Sequence, residues 1–195
     1  MRAALCASLL LVAAAVLGCN DNTGTSERAP TVATSTLRPA RVTWPEASKI
    51  DEAALATIAR EGTKTDREIS ALVARSPVPV LAPKDLVLAA PTLVVEGEYF
   101  ALSGRVAGAT VALQGTRAAH RYEGIEPATG TRDLRGTKGF VSVNEGIRTA
   151  SWMENGAAYS FDVECADLLH DARCQIDDFL LSVVAQLTYI GGSGR

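Results

Sequence analysis

Apolar and polar positions alternate with a period of two through the second half of the chain. The clearest run is Gly139 to Cys165, where Tyr159, Phe161, Val163 and Cys165 alternate with Ser160, Asp162 and Glu164. Asn155-Gly156 interrupts it, and Asn-Gly is the strongest short hairpin signal because both turn residues must take positive φ. A two-residue turn there sets Trp152 opposite Tyr159, Ala150 opposite Phe161 and Arg148 opposite Val163. One face of the hairpin is then aromatic and buried. The other carries Thr149, Ser151, Ser160, Asp162 and Glu164 and faces water, and a slip of one residue would exchange the two faces. Upstream, Tyr99–Val106 and Ala109–Gly115 form a second hairpin around Ala107-Gly108, with Leu102 opposite Leu113 and Gly104 opposite Val111. Leu93–Glu96 reads as a short strand and Arg117–Tyr122 as a short polar one. Val78-Pro79-Val80-Leu81 is apolar but broken by proline, which suits an edge or crossing segment.

Helical spacing appears in three places. Residues 46–61 place Ile50, Ala54, Leu55 and Ile58 on one face, with Ser48 as the expected cap and Gly62 as the stop. Thr65 and Glu68 fit a capping box ahead of Ile69, Leu72 and Val73, and Pro77 and Pro79 end that helix near Ser76. Residues 175–189 carry the broadest stripe, Ile176, Phe179, Leu180, Val183, Val184 and Leu187, with Asp177 and Asp178 in the first turn and Gly191-Gly192 beyond the end. The expected fold is α+β: an antiparallel sheet of about five to seven strands, with an N-terminal helical hairpin and a C-terminal helix packed on one face. Residues 123–138, rich in glycine and charge, read as a loop without regular structure.

The leader changes the composition. Arg2 precedes an uncharged apolar run from Ala3 to Leu17, in the pattern of a secretory signal peptide. Its end, Val16-Leu17-Gly18-Cys19, resembles the lipobox of bacterial lipoproteins. That resemblance implies cleavage before Cys19, acylation of Cys19 and attachment to a lipid bilayer in the cell envelope. Asn20 after the cysteine implies the periplasmic face of the outer membrane if the host is Gram-negative. Residues 1–18 are then signal peptide, 19–43 a flexible Ser/Thr/Ala/Pro-rich tether, 44–190 a single domain and 191–195 a flexible tail. Loss of the leader leaves 177 of 195 residues and, without Arg2, a formal charge of −4 in place of −3. A mildly acidic chain is a poor partner for nucleic acid.

Four cysteines are present. Cys6 leaves with the leader and Cys19 takes lipid. Cys165 and Cys174 remain, in an exported and oxidising compartment. A disulfide between them is the leading reading. Free thiols and a zinc site with His170 and Asp167 are the alternatives, the latter lacking the usual C-x-x-C pair.

The remaining candidate chemistry is sparse. Arg117, His120, Arg121 and Tyr122, together with Arg132, Arg135 and Lys138 of the glycine-rich stretch, form a candidate interaction patch. The plainer reading is a charged edge strand and a basic loop. Gly130, Gly136 and Gly139 do not follow the Walker spacing. Asp162 and Glu164 share one strand face, where solvated carboxylates are commonplace. No nucleophile is spaced to partner His120, and no catalytic residue, metal or cofactor is assigned. The expectation is a membrane-anchored, non-enzymatic envelope lipoprotein that binds another envelope protein. The alternative is an envelope hydrolase or small-molecule carrier with a site near His120.

Overall fold

Four two-residue turns set the strand order. Ala107-Gly108, Arg135-Gly136, Glu145-Gly146 and Asn155-Gly156 all take positive φ at both positions, the backbone that tight hairpins require. Glycine supplies the second position each time. The structure, a computed structural model, describes residues 35–122, 124 and 126–193, and only the backbone of 35–37 and 120–122. The leader and Cys19 lie outside the described residues.

The turns join β4 (Tyr99–Val106) to β5 (Ala109–Thr116) and link β7 (Arg132–Leu134), β8 (Thr137–Asn144), β9 (Ile147–Glu154) and β10 (Ala157–Cys165) in turn, while Gly97-Glu98 joins β3 (Ala89–Glu96) to β4. These form one seven-stranded antiparallel sheet in the order β3-β4-β5-β10-β9-β8-β7. Trp152 pairs with Tyr159, Ala150 with Phe161 and Leu102 with Leu113, the register the turns dictate. Two smaller sheets pair β1 (Ser35–Pro39) with β6 (Ala118–Tyr122), and β2 (Val80–Pro83) with β11 (Leu187–Gly191).

One face of the large sheet is packed tightly. Phe100, Tyr159 and Trp152 lie in one cross-strand row with Gly115 and Gly139. The Tyr159 ring stacks on Trp152 at 5.5 Å and meets Phe100 at a tilt, 6.4 Å between centroids. The glycines make room for the rings: a Cβ on Gly115 would stand 2.8 Å from the Tyr159 ring and would also strike Phe100. Buried residues of β2, β11, α1 (Glu52–Glu61), α2 (Asp66–Arg75) and α4 (Asp178–Ala185) join the same core. With α3 (Ala172–Gln175), the described residues hold four α-helices. None is long and apolar enough to cross a membrane. The Thr65–Glu68 capping box forms at α2. Asp51, not Ser48, caps α1, accepting from the Ala54 N–H at 3.0 Å.

Three expectations change. The helix expected over 175–189 is the shorter α4 followed by a strand, with α3 ending at Gln175. Gln186 ends α4, and Leu187–Gly191 leaves the helix to pair with β2. The apolar positions of β11 match a helical stripe in spacing, but pairing satisfies the otherwise single backbone of β2. The stretch 123–138 is not wholly loop, because Arg132–Leu134 is β7 and turns at Arg135-Gly136 into β8. Part of the expected tether is strand: β1 pairs with β6, Ala40 N–H donates to Arg117 O at 2.7 Å and Thr43 N–H to Asn155 O at 2.9 Å. At the other end, Ser193 N–H donates to Ser76 O at 2.9 Å.

Candidate functional site

The described cations of the candidate patch each pair with a different carboxylate of the chain. Arg117 precedes β6 and pairs with Glu98 of the β3–β4 turn. His120, Arg121 and Tyr122 lie in β6, and their side chains lie outside the described residues. Arg132 on β7 reaches Asp177 at the start of α4, 2.9 Å away. Lys138 on β8 reaches Asp133 on β7 at 2.7 Å. Each described cation of the patch therefore has a carboxylate partner within the chain, which cancels much of the field an acidic ligand would feel.

Arg135 departs furthest from the expectation. Its side chain is 10% exposed and turns inward. Nε donates to Glu154 Oε2 at 2.7 Å and Nη2 to Glu154 Oε1 at 3.2 Å, a two-pronged pair. Nη1 donates to the carbonyl of Leu187, just past α4. The guanidinium also lies 5.6 Å from the centre of the Tyr189 ring. Glu154 in turn accepts from Trp152 Nε1 at 3.1 Å and from the Tyr189 hydroxyl. Asn155 Nδ2 donates to the same hydroxyl at 2.8 Å.

Three ionisable groups of this cluster, Arg135, Glu154 and Tyr189, are shifted from their ordinary values, yet its geometry is that of a clamp. Burial alone would raise the Glu154 carboxyl, but the bonds from Arg135, Tyr189 and Trp152 outweigh it and hold the group below its ordinary value. Burial works against the Arg135 charge too, and Glu154 overcomes it. Tyr189 is pushed up, first by burial and then by its bond to Glu154. A carboxylate with four donors on its two oxygens has little room for a substrate proton. The bonds instead tie the β7–β8 turn, the β9–β10 turn and β11 together. Nearby, burial pushes the Tyr159 phenol up strongly, and its hydroxyl donates to Pro79 O at 2.9 Å.

Two further arginines fasten the segment after β10. Arg148 donates to Cys174 O at 3.2 Å and Gln175 O at 2.6 Å, and pairs with Asp177. Arg173 donates to Val106 O at 2.8 Å and to Ala107 O at 2.6 Å, gripping the β4–β5 turn, and pairs with Asp171. The sulfurs of Cys165 and Cys174 are 2.07 Å apart, a disulfide that joins β10 to α3. Sulfurs bonded to each other offer no thiolate to zinc. His170 Nδ1 lies 2.9 Å from Asp167 instead, with both residues exposed. Asp162 accepts from Thr149 Oγ1 at 2.7 Å, while Glu164 on the same face is exposed.

Sequence spacing missed Glu154 and Tyr189 as partners of Arg135, and Asn155 as a donor to the Tyr189 hydroxyl. The one local signal was a charged residue before Gly136, at a position where positive φ disfavours arginine. The chain matches no family model, no curated protein and no solved structure.

Proposed function

We propose that the chain is a lipoprotein of the bacterial envelope, anchored in the bilayer through acylated Cys19, whose folded part is a non-enzymatic binding module for another envelope component. In this reading α1 and α2 act as a helical hairpin that, with the C-terminal helix, covers one face of the large sheet and leaves the other for the partner. The observation that carries it is the character of that second face. A single cross-strand row runs Val94, Ala101, Gln114, Ser160, Ser151, Phe140, and the next runs Thr92, Ser103, Ala112, Asp162, Thr149, Ser142. No residue of either row is buried. Small side chains let a partner approach the backbone closely. Val94, Tyr99, Phe140 and Met153, 38–51% exposed, supply apolar area at the margins.

Two measurements test the two halves of this reading. Cys19→Ser should move the protein from the membrane fraction to the soluble one, and persistence in the membrane fraction would remove the anchor. A photo-crosslinking residue at Gln114, on the open face, should capture one envelope component, whereas the same residue at exposed Arg67 on α2 should not. Equal capture from both positions would remove the docking face.

A further inference from the structure

We propose that the cleft where residues 40–42 enter the folded body binds the phosphate group of an anionic phospholipid. The cleft holds about 500 Å³ and gathers Arg41, Arg75 and Arg117 from three distant parts of the chain. Arg41 follows β1, Arg75 ends α2 and Arg117 stands between β5 and β6. Glu98 is the one carboxylate paired to any of them among the described residues, and it holds Arg117. Arg75 Nε donates to the uncharged Ala71 carbonyl at 3.3 Å. The Arg41 side chain has no hydrogen-bond partner among the described residues. Among the described residues, two of the three guanidinium groups thus have no carboxylate partner, in a chain whose net charge is −3.

A concave basic site in an acidic protein concentrates anions, and the planar guanidinium fork matches the oxygens of a phosphate. The cleft wall also carries Val42, Trp44 and Pro77. The lining is mostly polar, and these three side chains, with Trp44 half-buried, set a small apolar patch beside the cations that the glycerol and first methylenes of a lipid could cover. The choice of a membrane lipid also rests on the anchor proposed above. Arg41 lies 22 residues after Cys19, and a chain of that length spans at most about 70–80 Å. That length of chain allows the cleft to reach a bilayer that holds Cys19.

The test uses the protein as the cell processes it and three soluble probes: dihexanoyl phosphatidylglycerol, dihexanoyl phosphatidylcholine and inorganic phosphate. The chain has two tryptophans. Trp152 is 3% exposed in the core, so a change in emission on binding reads Trp44 in the cleft. Phosphatidylglycerol should shift the emission saturably, and phosphatidylcholine should not. Inorganic phosphate should bind about tenfold more weakly. Arg41→Gln and Arg75→Gln should each weaken phosphatidylglycerol by about tenfold, the loss of one charge-assisted contact. Equal response to both lipids, or unchanged binding in the folded variants, would overturn the site. Phosphate binding as tight as phosphatidylglycerol would overturn its assignment to a lipid. Because the probes are soluble, an unacylated chain that still binds them refutes the anchor alone, and an acylated chain that does not refutes the cleft alone.

Discussion

Arg135 and Arg41 place the same side chain in opposite circumstances. Arg135 gives its protons to Glu154 and to the Leu187 carbonyl, lies against the Tyr189 ring and is nearly shut off from water. Arg41 sits exposed at the rim of a cleft with Arg75 and Arg117 and without a carboxylate of its own among the described residues. A guanidinium whose donors are already used within the chain stabilises the chain and has little left for a ligand. One whose donors are unused contributes little to stability and keeps them for a partner. The contrast separates structural from binding arginines better than their position in a basic stretch does.

The largest expected effect is at the saturated end. Arg135→Met leaves the Glu154 carboxylate buried without its cation and should cost about 3–5 kcal/mol in urea unfolding. Pairing it with Glu154→Leu should recover a large part of that loss, because an apolar pair of similar volume removes the orphaned charge. Next comes the disulfide. Cys165→Ser with Cys174→Ser should cost about 2–3 kcal/mol, since the bond closes only a short loop. Mass analysis should show the gain of two hydrogens on reduction of the intact protein.

The same clamp gives a pH signature of smaller size. The Glu154 carboxyl is held below its ordinary value of 4.5 in the fold. A depressed carboxyl contributes stability that is complete above the unfolded value and is lost as pH falls through the folded one. The unfolding midpoint should therefore drop below about pH 4.5, and Glu154→Gln should flatten that part of the curve. Arg135 is raised above its ordinary value, so its contribution is present throughout this range and is lost only in strong alkali. The smallest stability change belongs to Arg41→Gln and Arg75→Gln, within about 0.5 kcal/mol of the parent.

Much of the sheet was legible in the sequence because turn chemistry and a period of two fix register locally. Asn155-Gly156 sets Trp152 against Tyr159, and Ala107-Gly108 sets Leu102 against Leu113, without help from distant residues. Arg135-Gly136 hides the same turn behind a residue that seldom accepts positive φ. Its side chain is held by Glu154, nineteen positions away, which no local pattern displays. The helix expected to 189 fails for a related reason. Leu187 continues the helical stripe, but Leu187–Gly191 pairs with β2 about a hundred residues upstream, and tertiary pairing overrides periodicity. The expected patch groups cations by sequence proximity, which does not display their partners. Arg132, Arg135 and Lys138 go to three different carboxylates, while Arg41, Arg75 and Arg117 converge only in the fold.

The contrast between the two arginine clusters is tested most directly by urea unfolding with and without dihexanoyl phosphatidylglycerol. A ligand that binds only the folded chain raises the midpoint by mass action. Arg135→Met should lower the midpoint and keep the rise with lipid, whereas Arg41→Gln with Arg75→Gln should keep the midpoint and lose the rise. A parent protein with no rise, or a lipid response lost in Arg135→Met but kept in the Arg41/Arg75 variant, would contradict the assignment of the two clusters.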